Sequence, residues 1–254
     1  MTRTTLAALA LTTALAAPAL AFDPANMTDT EKAAFGDAVR SYLIDNPEVL
    51  LEAINGLEAK QAEQAVAQDR VLIDQHHQAI FNDADSWSGG NPQGDITMVE
   101  FIDYKCGVCR RFAPDVENAV SSDGNIRIIF KEYPILGPES ELAARFALAV
   151  RQLAGDEAYK KAHDALMILR EPVNDNSLTK LANELGVDAA ATLDRMKSDD
   201  VTRVLMANAE LGNALGIQGT PTFVIGDQIL RGVPRAGIKP TVDDIRAQMA
   251  ADKG

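Results

Sequence analysis

The chain has 254 residues, 46% of them apolar, and a formal charge of −13 from 37 acidic against 24 basic side chains. That apolar share fills a core and excludes a disordered chain, while the length suits one large domain or a smaller one with an appendage. No run of lysine and arginine offsets the acidic balance, so neither nucleic acid nor anionic lipid is an expected partner, because phosphate binding needs clustered cations.

Residues 1–21 place Arg3 ahead of an apolar Ala/Leu stretch and end in Ala19-Leu20-Ala21, the small-x-small pattern of a cleaved secretory signal. The apolar run from Leu6 to Leu20 is shorter than the ~20 residues that cross a bilayer. Export to the periplasm is therefore expected, with the charge becoming −14 once Arg3 is lost. Thr28 and Glu31 have capping-box spacing, and Phe35, Ala38, Val39, Tyr42 and Leu43 follow the rhythm of an apolar helix face. Asn46 and Pro47 read as cap and first position of a second helix, whose Val66, Ile73 and Ile80 recur every seven residues. Two helices alone cannot bury both stripes, so residues 22–82 are expected to be a helical segment that joins copies of the chain. Asp69 and His76 interrupt that seam, which leaves open an arm folded back on its own chain.

Residues 83–94 are dense in turn formers and read as a linker, with Trp87 packing at its junction. From Ile96 the order strand, helix, strand implies a parallel pair with a crossover, hence an α/β domain over 95–254. Residues 139–215 read as almost wholly helical, with breaks near Gly155, Pro172, Gly186 and Lys197. Two short strands then turn at Gly226-Asp227, and a last helix fits Thr241 to Ala251.

Cys106 and Cys109 are the two cysteines of the chain. A disulfide closing so small a ring stabilises by only roughly 2 kcal/mol, which makes it a feeble staple. A tetrahedral zinc site needs more ligands than the pair supplies, and Arg110 stands where covalent haem attachment requires histidine. No cofactor and no resident metal are expected. At a strand-to-helix junction, the unpaired amides of a first helical turn stabilise a thiolate at Cys106. Cys106 then reads as the attacking sulfur and Cys109, one turn further in, as the resolving one. The charge of Arg110 and Arg111 adds to that effect. His163 reads as a hydrogen-bonded packing residue, and His76 and His77 point too far apart to share a metal.

The segment MVEFIDYKCGVCRRFAP resembles the active-site strand and helix of the thioredoxin superfamily, and GIQGTPTFVIG resembles its second active-site loop. With the helical block, KEYPILGPES and the N-terminal helices, the mature chain resembles the periplasmic DsbA-like family, in particular its ScsC-like members with an oligomerising extension. The resemblance implies a thioredoxin fold with a helical insertion, preceded by a helical arm. It also implies a thiol-disulfide oxidoreductase acting on exported proteins with cysteines, reset by a redox partner protein. It makes Pro221 a cis-proline preceded by Thr220, Glu100 a buried proton relay for Cys109, and Lys131 its basic neighbour. Gly107-Val108 departs from the Pro-His of strongly oxidising relatives and, with Thr220, is similar to disulfide isomerases. A milder couple, leaning to isomerase or reductase, follows. A dithiol oxidase is the alternative, and an exported module holding Cu(I) on the two thiolates is a reading of another class.

Overall fold

The computed structural model describes residues 26–251; the expected signal segment 1–21 lies outside them. The chain divides into two units, Met1–Lys60 and Gln61–Gly254.

In the first unit, α1 (Asp29–Asp45) starts as its sequence predicts. Thr28 Oγ1 accepts from the Glu31 amide at 3.4 Å, and the Glu31 carboxylate accepts from the Thr28 amide at 2.8 Å. α2 (Pro47–Gln75) has Pro47 at its first position, but the Asn46 side chain serves the other helix. Its amide donates to the Tyr42 carbonyl at 2.8 Å, closing the end of α1, where the last carbonyls have no intrahelical donor. Val39 and Tyr42 of α1, and Leu50, Ile54 and Leu57 of α2, are all exposed.

The second unit is built on a five-stranded sheet in the order β1-β3-β2-β4-β5: β1 (Trp87–Gly90), β2 (Ile96–Ile102), β3 (Ile126–Glu132), β4 (Thr222–Ile225) and β5 (Gln228–Arg231). The expected parallel pair is β2 and β3, joined by α4 (Gly107–Asp123); the other pairings are antiparallel. β2 is central and almost wholly buried, so its side chains alternate between two apolar cores. Met98 and Ile102 face α4, the helical block and α10 (Ile238–Ala251), which begins a little before the expected Thr241. Val99 and Phe101 face the end of α2, α3 (His77–Phe81) and α9 (Asp199–Ala214). The helical block comprises α5 (Pro138–Ala154), α6 (Asp156–Ile168), α7 (Asp175–Glu184), α8 (Ala189–Arg195) and α9, broken where the sequence predicts.

Two expectations need correction. Ile73 and Ile80 do not form a seam between copies: both are buried against the sheet of their own chain, and Asp69 forms an ion pair with Arg231. The heptad signal here records the end of α2 and the short α3 lying on a sheet, while Val66 stays exposed. The 83–94 segment is also more than a linker, because it contains β1, antiparallel to β3. Trp87 carries that strand: its ring stacks on Phe130 at 5.0 Å and its Nε1 donates to the Asp156 carbonyl at 3.0 Å. A Cβ on Gly89 would come within 2.2 Å of the Trp87 ring, so the glycine that reads as a turn former is what lets the indole lie flat.

Below the second face, Lys131 Nζ is 2.6 Å from Asp83 Oδ2, with the lysine side chain 1% and the aspartate 23% exposed. Asp83 also accepts from the Ser86 hydroxyl and the Asp85 amide, whereas Asp83 is the carboxylate that neutralises Lys131. Removing one partner of a buried pair costs about 3–5 kcal/mol through the charge left behind. Asp83→Ala is therefore expected to lose stability on that scale in urea unfolding, and Lys131→Met to lose clearly less; equal losses would contradict this division.

Candidate active site

The mixed pairing of β2 brings two remote segments to one end of the sheet. β2 runs parallel to β3 and leads through Asp103 to Cys106, while antiparallel β4 starts at Thr222, opposite Phe101. The residues just before Thr222 therefore lie beside the start of α4. Cys106 is the N-cap of α4 with extended backbone, and its Sγ accepts from the Cys109 amide at 3.5 Å. Across the gap, Sγ donates to the Thr220 carbonyl at 3.1 Å, and the Thr220-Pro221 peptide is cis.

The two sulfurs sit in opposite electrostatic settings. Burial pushes the Cys106 thiol up, but hydrogen bonds from Thr220 and from the amides of Cys109 and Val108 outweigh it and hold the group below its ordinary value. Thr220 serves both protonation states. Its carbonyl holds the thiol proton, and its side chain favours the thiolate. Cys109 is 1% exposed. Burial pushes its thiol far up, against a hydrogen bond at Asp103, and the charge of Glu100 adds to the rise. The Arg110 side chain turns to α6: its Nε donates to the Met167 carbonyl at 2.8 Å and its Nη2 to Leu169 O, closing the end of that helix. Arg111 lies over the Phe112 ring.

Glu100 is where the sequence predicts it, buried on the central strand on the α4 side. Burial, then the charge at Cys106, raises its carboxyl to about 8. It opens on a cavity of about 280 Å³ shared with Phe130, His163 and Met167. Lys131 is not its neighbour. The residue opposite Glu100 in β3 is Phe130, while Lys131 pairs in register with Phe101, so its side chain leaves the opposite face and reaches Asp83. A one-residue step along a strand reverses the face, and no spacing within the sequence sets the register between strands.

Two buried acids beside this end of the sheet went unread in the sequence. Asp103 Oδ2 accepts from the amides of Ile135 and Leu136 at 2.8 and 3.0 Å, and its backbone carbonyl accepts from Cys106 N, so it joins the loops on both sides of the site. Glu132 Oε1 accepts from the hydroxyls of Tyr104 and Tyr159 at 2.7 and 2.6 Å, and Tyr104 also meets His163 Nδ1 at 3.2 Å. Burial raises Glu132 to about 8, against those two hydrogen bonds. It lowers His163 to about 3, where stacking on Phe130 at 4.3 Å makes it the packing histidine expected. The acidic residues closing β2 and β3 were the available signal, but their partners lie far along the chain.

Two measurements follow. Thr220→Val removes the hydroxyl and is expected to weaken the acidity of Cys106 about tenfold, the scale of one hydrogen bond to a charged group, as read from thiolate absorbance. Glu100 and Glu132 bind more protons folded than unfolded between pH 4.5 and about 8. Their contribution is thus fully present below pH 4.5 and is lost as pH rises to about 8. Glu100→Gln should flatten that decline in urea midpoints of the reduced protein; an unchanged slope would contradict the burial of an ionisable carboxyl.

Known proteins resemble the chain in sequence and in fold. Residues 97–237 match the DSBA-like thioredoxin domain, and residues 31–64 match the copper resistance protein ScsC N-terminal domain. A thioredoxin-like oxidoreductase from Silicibacter pomeroyi DSS-3 is 36% identical with a TM-score of 0.61, covering 69% of this chain and 97% of that one. Proteus mirabilis ScsC in a transitional conformation is 31% identical with a TM-score of 0.61, covering 91% of this chain and all of that one (100%). Disulfide bond formation protein D of Bacillus subtilis is 24% identical over 159 residues, covering 56% of this chain and 68% of that protein. The chain spans only 21% of the length of the Na(+)/H(+) antiporter NhaA 3 of Salinispora tropica, at 24% identity. With more than half of its length matching the family domain, and the fold and dithiol placed as described, the chain belongs to the DSBA-like thioredoxin family.

Proposed function

We propose that the chain is a thiol-disulfide oxidoreductase that exchanges disulfides with exported, cysteine-containing proteins through Cys106 and Cys109. The observation that carries this reading is the opposed setting of the two sulfurs: one capping a helix against the Thr220 carbonyl, the other buried one turn behind. The Cys106 thiolate attacks one sulfur of a substrate disulfide, forms a mixed disulfide and releases the first substrate thiolate. Glu100, ionised, takes the proton of Cys109. The Cys109 thiolate then attacks Cys106 Sγ, expels the second substrate thiolate and leaves the Cys106–Cys109 disulfide. The substrate is reduced and the protein oxidised; a redox partner protein returns the dithiol, and the reverse sequence oxidises a substrate. Ile135 and Leu136, held by Asp103 with exposed side chains, offer apolar surface to the incoming polypeptide.

The direction leans to isomerase or reductase. Val108 brings no side-chain donor to the Cys106 thiolate, so the reduced form is less stabilised than with a histidine there and the disulfide is a milder oxidant. A periplasmic location agrees with the Arg3-to-Ala21 segment and with similarity to a periplasmic thioredoxin-like protein from Salmonella enterica serovar Typhimurium. Among the described residues no helix is long and apolar enough to cross a membrane. The exposed Val39, Tyr42, Leu50, Ile54 and Leu57, within or beside the ScsC-type match, favour self-association through residues 27–60.

Refolding assays separate the directions. Recovery of a scrambled disulfide protein is expected, with Cys106→Ser abolishing it; recovery of a reduced protein alone would make the chain a dithiol oxidase and end the isomerase reading.

A further inference from the structure

Both stems of the loop that faces Cys106 are held at the end of β5, one by the Arg231 side chain and the other by the backbone of Arg231 and Gly232. The loop leaves α9 at Leu215, the C-cap of that helix, and Leu215 O accepts from Arg231 Nη2 at 3.3 Å. At its other end the loop enters β4, where Thr222 is the ladder partner of Arg231, and the next amide, Gly232 N, donates to the Pro221 carbonyl at 3.0 Å. Arg231 and Gly232 line one groove of about 510 Å³ with Gly216, Gly219, Thr220 and Pro221. The guanidinium is aimed by a carboxylate from outside the sheet. Asp69 on α2 accepts from Nη1 and Nη2 at 2.9 Å each, a two-pronged pair whose aspartate side chain is 11% exposed. A guanidinium also suits a helix C-terminus, where the carbonyls carry partial negative charge.

We propose that Arg231 is a positioning residue for disulfide exchange: held by Asp69, it fixes the 216–221 loop in the conformation that receives the substrate polypeptide. The proposal rests on the exchange reading above. It gives α2 a part in substrate uptake as well as in any assembly of copies, because the helix supplies the carboxylate on which the loop's anchor depends. Tyr133, whose hydroxyl donates to the Ile217 carbonyl at 3.0 Å, holds the loop from beneath. Among these contacts the Arg231 side chain is the one that ties a stem of the loop to a separate helix, α2.

The test uses the full chain with Arg231→Leu, Asp69→Asn and the two combined. KM and kcat are measured on a fluorogenic disulfide peptide, alongside the reduction potential against glutathione and circular dichroism. Each single variant is expected to raise KM about tenfold, the scale of a hydrogen-bonded ion pair, with kcat and potential unchanged. The double variant should raise it no further, since both changes break one connection. Arg70→Ala, which opens the neighbouring Arg70–Asp227 ion pair on the same helix, should leave KM alone. If Arg231→Leu fails to fold, Arg231→Lys keeps the charge without the planar fork and should still raise KM. A folded variant with the parental KM, or a KM that moves together with the potential, overturns the proposal. Parental turnover that survives Cys106→Ser sinks the exchange reading along with it.

Discussion

The 3.1 Å approach of Cys106 Sγ to the Thr220 carbonyl is the contact around which the rest is arranged. It exists because a single strand, β2, is paired parallel on one side and antiparallel on the other. Parallel pairing demands a crossover, so the chain must leave β2 into a helix, and that helix begins at Cys106. Antiparallel pairing brings the start of β4 to the same end of the sheet. Segments more than a hundred residues apart in the chain thereby meet, and the helical block can occupy the intervening length without disturbing them.

What makes the contact chemically useful is the contrast across one helical turn. The first sulfur has amides and a threonine hydroxyl within reach, so its anion is solvated by the protein. The second has apolar neighbours and a carboxyl below it, so its proton is held tightly. A pair of equivalent thiols would offer no order of attack. Glu100 and Glu132, both raised by burial, set two protonatable acids under the same sheet face. Only Glu100 lies close enough for its charge to be felt at Cys109.

The division of the chain falls inside α2, at Lys60 and Gln61, and the second unit is therefore larger than a thioredoxin-type core. Asp69, Ile73, Ile80, Asp83 and Trp87 all belong to it by burial or pairing. Polar contacts do much of the fastening here. Arg231 to Asp69, Lys131 to Asp83 and Trp87 to Asp156 tie the approach to the domain at separate points.

Local signals carried a large part of this protein. The capping box at Thr28, the breaks of the helical block, the hairpin at Gly226 and the placement of Cys106 at a helix start are all written within a few neighbouring residues, where backbone preference and capping act directly. The burial of Glu100 was legible because apolar residues flank it on a strand that had to be central. Register was not legible: whether Lys131 or Phe130 faces Glu100 turns on one residue of slip between strands, and nothing near either residue encodes it. The seven-residue spacing of Ile73 and Ile80 likewise reads as one apolar helix face, but does not say that the helix breaks between them or that a sheet covers both. Asp103, Glu132 and Arg231 take their roles from partners brought in by the fold, and only the tertiary structure decides which charges share a low-dielectric neighbourhood.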